Sequence, residues 1–371
     1  SALVHQNRAF QKHYAVKLLQ PVLGNGLLLS EGSFWLKQRR LVQPAFAQSF
    51  TDQFRIIIKK HGEELLARWR KTSTRDLHRD MTDLTVTIAA EALLGVDVPA
   101  ELETIRQSLE VIHHDFEHRF QAAIPVPAWI PTPGNRKLRG AIRDLHLVVD
   151  RIITQRAQQP GKRTDALSLL LQARDENGAT MSHRQLRDEV LTLLLAGHDT
   201  TANALTWSLI ALSQHPDLAE DLATSRNANA ARFVLLESMR LYPPVYVFGR
   251  ECLQRCQLGP LSVRPKETVL LCQWLVHRDV RFFDDPLEFR PSRWENDLER
   301  RLPAYAYFPF GGGPRICIGK DLALLEGTLL LDLFAREFRL ALTSSRLPEP
   351  WPTVTLRPKY AVPVKVIPRT A

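Results

Sequence analysis

The chain has 371 residues, 44% hydrophobic and 24% charged, which is long enough to bury a sizeable core as one large domain or two smaller ones. Its formal net charge of +9 comes from basic residues scattered in ones and twos, such as Lys37, Arg39 and Arg40, or Lys59 and Lys60. Such a balance suits nucleic acid, an anionic membrane or an acidic protein; with no zinc-finger or RNA-binding signature beside it, an acidic protein partner and no nucleic acid are expected.

Four cysteines, Cys252, Cys256, Cys272 and Cys317, are too few for a disulfide scaffold and fit a reducing, cytoplasmic compartment. Cys252 and Cys256 have no second pair at zinc-site spacing, so a structural or incidental role is expected of them. No stretch reaches the roughly eighteen apolar residues that a membrane span needs. Even the leucine-rich run from Leu322 is broken by Glu326 and Asp332. Residue 1 is Ser, and no signal-peptide pattern follows it.

In chain order, the first chemical signal is Trp35-Leu-Lys-Gln-Arg39. It puts an indole N–H donor and a guanidinium fork on one helix face, a pairing suited to carboxylates. Apolar residues at three- and four-residue spacing predict helices over 54–71, 80–94, 102–118, 138–158 and 182–215. The Pro-rich stretches 124–133 and 348–352 read as ordered connectors. Ser182-His-Arg-Gln185 is a capping-box pattern for the longest helix, which Pro216 ends. In its middle stands Leu195-Ala196-Gly197-His198-Asp199-Thr200-Thr201. Gly costs about 1 kcal/mol there relative to Ala, and Asp and Thr compete for backbone hydrogen bonds, so a local kink is expected.

Glu237-Ser-Met-Arg240 places opposite charges at i and i+3 on a helix. Leu235, Leu236, Met239 and Leu241 surround them, so the pair is expected to be buried and fully partnered. Short strand-like segments follow at 257–263, 268–272, 353–356 and 362–366. The whole reads as one mainly α domain with small β-sheets.

The run Phe310-Gly311-Gly-Gly-Pro-Arg315-Ile-Cys317-Ile-Gly319 cannot be a helix or an inner strand, because three glycines and a proline demand a loop. Residues 320–338 then show long helical patterning, with Leu322, Leu325, Leu329, Leu330 and Phe334 on the apolar face. Cys317 is therefore offered from a loop at a helix start, where unpaired N–H groups and the positive dipole end lower a thiol's pKa. A thiolate so made is a nucleophile or a metal ligand.

The spacing Phe-x-x-Gly-x-Arg-x-Cys-x-Gly resembles the haem-ligand loop of the cytochrome P450 superfamily. Four further segments appear in that family's order: Trp35-x-x-x-Arg39, Ala196-Gly197-x-Asp199-Thr200, Glu237-x-x-Arg240 and Phe289-x-Pro-x-Arg293. The resemblance implies the P450 fold, with a long central helix over the haem and the cysteine loop before a C-terminal helix. It implies haem b held by Cys317, whose thiolate favours O–O cleavage.

In that reading Trp35, Arg39, Arg250 and Arg315 bind haem propionates, while Ala196, Gly197, Phe310, Gly311 and Gly319 shape the cofactor site. Asp199 and Thr200 deliver protons, and Glu237, Arg240 and Arg293 hold the core that presents the loop. Val245, Val247, Phe248 and Val354 line the substrate pocket. The expected activity is O2-dependent hydroxylation of a hydrophobic substrate, whether fatty acid, terpenoid or carotenoid. A peroxide-driven peroxygenase and a non-catalytic haem sensor are the alternatives, and the acid–alcohol pair Asp199–Thr200 argues against both.

The chain has no Gly-x-Gly-x-x-Gly loop or second cysteine cluster, so electrons are expected from a separate ferredoxin or flavodoxin and its reductase. Such a donor would be steered to Lys37, Arg40 and Lys320. The chain opens shortly before the Trp35 helix, so the family's first helix and most of its N-terminal sheet, with any membrane anchor, are expected to precede residue 1. The segment between Pro216 and Glu237 is shorter than in microsomal members, which favours a soluble, monomeric bacterial type somewhat like the compact thermophile carotenoid hydroxylases.

Overall fold

The computed structural model describes residues 4, 6–46, 48–95, 99–121, 126–127, 129–158 and 165–369. Among the described residues ten helices carry the fold: α1 (Gly32–Val42), α2 (Gln48–Trp69), α3 (Leu77–Leu94), α4 (Pro99–Gln121), α5 (Pro133–Gln158), α6 (Ala166–Gln172), α7 (His183–Gln214), α8 (Pro216–Thr224), α9 (Ala230–Leu241) and α10 (Lys320–Glu337), beside several single turns. The short strands among the described residues are β1 (Phe10–Lys12), β2 (Thr74–Asp76), β3 (Phe248–Cys252), β4 (Cys256–Leu258), β5 (Leu261–Val263), β6 (Thr268–Leu271), β7 (Phe338–Leu342), β8 (Pro350–Pro352), β9 (Leu356–Pro358) and β10 (Pro363–Pro368). The expectation of a mainly helical chain with small sheets holds.

The chain gathers into two compact units. One comprises Ser1–Phe10, Arg55–Thr85 and Asp199–Ala371, and the other Gln11–Phe54 and Val86–His198. In the first, Trp69 ends α2 by packing on Phe334 and Phe338, with ring centroids at 5.1 and 5.7 Å. The buried indole N–H is satisfied by Asp80 at 2.7 Å. The sheet β2-β10-β7 lies alongside, with Val364 opposite both Arg75 and Leu342. Helices α9 and α10 meet at Gly327, where a Cβ would come within 2.6 Å of the Leu235 Cδ2 methyl, so a larger residue would have to displace that side chain. Glu326 beside it is buried, and burial pushes its carboxyl up to about 8, leaving a neutral acid at pH 7.

In the second unit α4 packs on α5. The buried face of α5 repeats every three or four residues as Leu138, Ala141, Leu145, Val148, Val149 and Ile153. The first turns of α7 are tied to the loop before α1 by two carboxylates: Asp188 accepts from Asn25 N–H and Glu189 from Leu27 N–H, both at 2.9 Å. Gly24, at φ +55°, and Gly26 leave no room for a side chain against Asp188 and Thr192.

Several local expectations change. Ser182 caps α7 through Gln185 N–H at 3.2 Å, but the Gln185 side chain turns forward to Glu189 instead of completing a box. Helix α7 is continuously helical through Gly197. The single strand expected at 257–263 is the hairpin β4–β5, because Gly259, at φ +59°, turns the chain between them. Residues 353–355 are the turn of a second hairpin, β8–β9, and residues 350–352, expected in a connector, form its first strand. Ile124, Pro125 and Ala128 of the other Pro-rich stretch lie outside the described residues.

Candidate functional site

The cysteine loop belongs to the first unit. Gly311 and Gly313 take φ +71° and +67°, left-handed conformations that glycine adopts without strain. The turn so formed is closed by Cys317 N–H donating to the Phe310 carbonyl at 2.9 Å and Ile316 N–H to Gly313 at 3.1 Å. Cys317 is exposed, and Gly319 is the N-cap of α10. Arg315 is half-buried, two residues before the sulfur.

Behind the loop lies a buried charge cluster. Glu237 and Arg240 are both fully buried. All five N–H groups of Arg240 find acceptors: Nε and Nη2 on Glu237 at 2.9 Å, Nη1 on the carbonyls of His277 and Pro286 at 2.9 and 2.7 Å, and Nη2 again on Glu288 at 2.9 Å. Glu237 in turn accepts from Arg293 Nε, Arg290 N–H and the Trp294 indole, each at 2.9 Å. The cluster reaches the loop through His277, whose Nε2 accepts Phe308 N–H at 3.0 Å. The Phe308 carbonyl then accepts Gly311 N–H at 2.9 Å. Burial, reinforced by the Arg240 charge, lowers the His277 pKa to about 3, so the ring stays neutral and able to accept. Sequence reasoning passed over His277; a lone histidine closing the single helical turn Gln273–Val276 gives no spacing signal.

A second polar cluster surrounds Asp199 in the same unit. Thr355, in the β8–β9 turn, donates its hydroxyl to Asp199 Oδ2 at 2.6 Å. Asn203, one helical turn on from Asp199, donates its amide to the same oxygen at 3.4 Å and to Thr355 Oγ1 at 3.2 Å. His78 Nε2 lies 3.1 Å from the Asn203 carbonyl oxygen, and burial lowers its pKa, so a neutral Nε2–H donor fits. Thr355, Asn203 and His78 were likewise missed. Thr200, next to Asp199, is half-buried.

Val245 and Val247, on the chain leading into β3, and Phe248, its first residue, are half-buried, and Val354 is exposed at the hairpin tip. Arg250 on β3 lies over the Phe248 ring at 4.8 Å and pairs with Val269 across the sheet.

In the second unit Trp35 and Arg39 lie one turn apart on α1, both half-buried. Ala196 and Gly197 are exposed in a stretch of α7 whose neighbours Leu193, Leu194, His198 and Asp199 are buried, and nothing lies within 4 Å of where a Gly197 Cβ would stand. The cations expected to receive an electron donor are all engaged. Lys37 pairs with Asp175 at 2.6 Å, Arg40 with Glu176, and in the first unit Lys320 with Glu299 at 3.6 Å. The turn after α6 supplies both acidic partners of α1. No helix among the described residues is long and apolar enough to cross a membrane.

The cytochrome P450 family model matches residues 1–226 and 229–364. Cyclooctatin synthase of Streptomyces melanosporofaciens is 33% identical over 94% of this chain and 79% of that protein. Cyclooctat-9-en-7-ol 5-monooxygenase of the same organism is 29% identical over 90% of this chain and 76% of its own length. Among solved structures, retinoic acid-bound cyanobacterial CYP120A1 aligns with a TM-score of 0.87 at 28% identity, covering 99% of this chain and 86% of that one. The chain belongs to the cytochrome P450 family and is a monooxygenase of cysteine-ligated haem b, using O2, a hydrophobic substrate and electrons from a redox partner.

Proposed function

We propose that Cys317 is the haem ligand of a monooxygenase acting on a terpenoid substrate. The observation that carries the ligand assignment is the exposed Cys317 sulfur on a loop closed by two left-handed glycines. The residues present suit the haem: a soft sulfur donor at a helix start, open space where a Gly311 side chain would be, and a half-buried guanidinium at Arg315. Trp35, Arg39, Arg250 and Arg315 would hold its propionates, and Phe310, Gly319, Ala196 and Gly197 would pack against it. When bound, the haem supplies oxygen activation, and the protein supplies orientation, protons and exclusion of water.

Within the chain, Asp199 and Thr200 move the protons. Thr355 and Asn203 both donate to Asp199 Oδ2 and so hold the carboxylate in place. Val245, Val247, Phe248 and Val354 present apolar surface to the substrate. A terpenoid, the class to which carotenoids also belong, is favoured over a fatty acid because two relatives are named for cyclooctat-type compounds and a structural neighbour binds retinoic acid, an isoprenoid acid. A monomer reduced by an acidic ferredoxin or flavodoxin fits the net charge of +9. Its docking would compete with Asp175 and Glu176 for Lys37 and Arg40.

The test of the ligand is Cys317→His. The variant folds but loses the red-shifted Soret band of the ferrous–CO complex; survival of that band would remove Cys317 from the role. Spectral-shift titration with terpenoids, fatty acids and carotenoids tests the substrate class, and a shift confined to fatty acids would overturn the terpenoid reading.

A further inference from the structure

Two cysteines distant in role from Cys317 face each other across a tight turn. Cys252 ends β3 and Cys256 opens β4, and their sulfurs are 3.9 Å apart. Both are free thiols. Cys252 is 1% exposed, packed with Ala9, Phe10 and Val263. Its backbone is held on both sides, with its N–H on the Glu267 carbonyl and its own carbonyl taking Lys266 N–H, each at 2.8 Å. Leu253 N–H is fixed to the Ala9 carbonyl at 2.8 Å. Cys256 differs: it is half-buried and forms part of the wall of a cavity of 310 Å³, with Gln6, Asn7, Arg8 and Arg255 around it. One thiol is thus anchored in apolar packing, and its neighbour is open to a small polar reagent.

We propose that Cys252 and Cys256 form a peroxide-oxidised dithiol, with Cys256 the attacking thiol and Cys252 the resolving one. The Cys256 thiolate attacks one oxygen of hydrogen peroxide. The S–O bond forms as the O–O bond breaks, and the departing hydroxide takes up a proton to leave as water. Cys252 then loses its proton and attacks the Cys256 sulfenic sulfur, forming the S–S bond as the S–O bond breaks and a second water leaves. Two electrons pass from the two sulfurs to one peroxide. A monooxygenase whose turnover uncouples releases this oxidant.

The S–S distance must close from 3.9 Å to about 2.0 Å, and the cavity side of the pair leaves space for that movement. Burial, together with the hydrogen bond to Cys252, raises the Cys256 pKa above the ordinary thiol value, so the reaction accelerates as pH rises through the alkaline range.

The sequence supplies a direct readout. Trypsin cuts after Arg250, Arg255 and Lys266, while Arg264 is protected by Pro265, so the two cysteines fall in peptides 251–255 and 256–266. Holoenzyme treated with hydrogen peroxide, alkylated and digested is expected to yield these two peptides joined. Their mass should be two hydrogens below the sum, and dithiothreitol should separate them. Cys256→Ser should leave Cys252 alkylatable after peroxide, and Cys252→Ser should drive Cys256 to the sulfinic and sulfonic acids. Alkylation of both residues after peroxide, linkage of either to Cys272, or oxidation of Cys256 past sulfenic acid with Cys252 present would each overturn the proposal.

Discussion

Two buried polar clusters in the same unit are built from opposite materials. Around Arg240 a Glu237 carboxylate is held by two guanidinium groups, an indole and a backbone N–H, and each of the five Arg240 N–H groups has its own acceptor on Glu237 or a backbone carbonyl. Around Asp199 they are a hydroxyl, an amide and a neutral imidazole, joined in sequence from Thr355 through Asn203 to His78. A guanidinium cannot give up its proton at any working pH, so Arg240 and Arg293 fix the Glu237 carboxylate as a permanent counter-charge would. Hydroxyl and carboxyl groups both donate and accept, so the second can reorganise around a moving proton. The first presents the Cys317 loop through His277 and Phe308; the second holds the acid expected to deliver protons.

The largest effect should come from breaking the saturated cluster. Arg240→Ala leaves the Glu237 carboxylate buried without its main counter-charge, and removing one partner of a buried pair costs about 3–5 kcal/mol. We expect the urea midpoint to fall accordingly, with little holoprotein recovered. A midpoint within error of the parent would mean that solvent reaches the cluster and the contrast is false.

How far each cluster could be read from sequence follows from the reach of its contacts. Glu237 and Arg240 meet because i and i+3 share a helix face, and Arg293 follows a spaced Phe-x-Pro pattern, so the linear spacing carries the signal. The Cys317 loop is also contiguous, and its glycines dictate its form. Asp199 and Thr355 are 156 residues apart and meet only because the 353–355 turn joins β8 to β9. Prolines are the first and last residues of that hairpin's first strand, which disguised it as a connector. The long helices were legible from periodicity with ends shifted by a few residues. Short strands such as β2, β3 and β7 were not, since three to five residues hold too little alternation. The Lys37–Asp175 and Arg40–Glu176 pairs were hidden for the same reason as Thr355: nothing local links α1 to the turn after α6.

A smaller effect separates the clusters by pH. His277 is held near 3 in the folded chain against an ordinary 6.5. Between those values the unfolded chain binds a proton that the folded chain refuses, so stability rises with pH across the window. The contribution of His277 is complete above about 6.5 and is lost as pH falls toward 3, amounting to a few kcal/mol at most. His277→Gln keeps an acceptor for Phe308 N–H but cannot titrate. Its urea midpoint should therefore depend less on pH between 6.5 and 3 than the parent's. Equal slopes in both proteins would show that His277 is not the neutral acceptor linking the cluster to the loop.

The smallest change in stability should accompany the most specific change in function. Thr355→Val keeps the shape of the side chain and removes only the hydroxyl that donates to Asp199 at 2.6 Å. A hydrogen bond to a charged acceptor is worth about 1.5–3 kcal/mol, and Asn203 remains to share the carboxylate, so the loss should lie at the low end. If Thr355 only packs the β8–β9 turn, product formed per NADPH will not move. If it positions the acid, the freed carboxylate will rotate among its neighbours, less product will form per NADPH, and hydrogen peroxide will take up the difference. Thr355→Ser restores the hydroxyl while removing a methyl group, so it should recover coupling but not full stability. A Thr355→Val enzyme with parental coupling would confine the Asp199 cluster to structure, and the distinction between a cluster that holds and one that moves protons would fail at its second member.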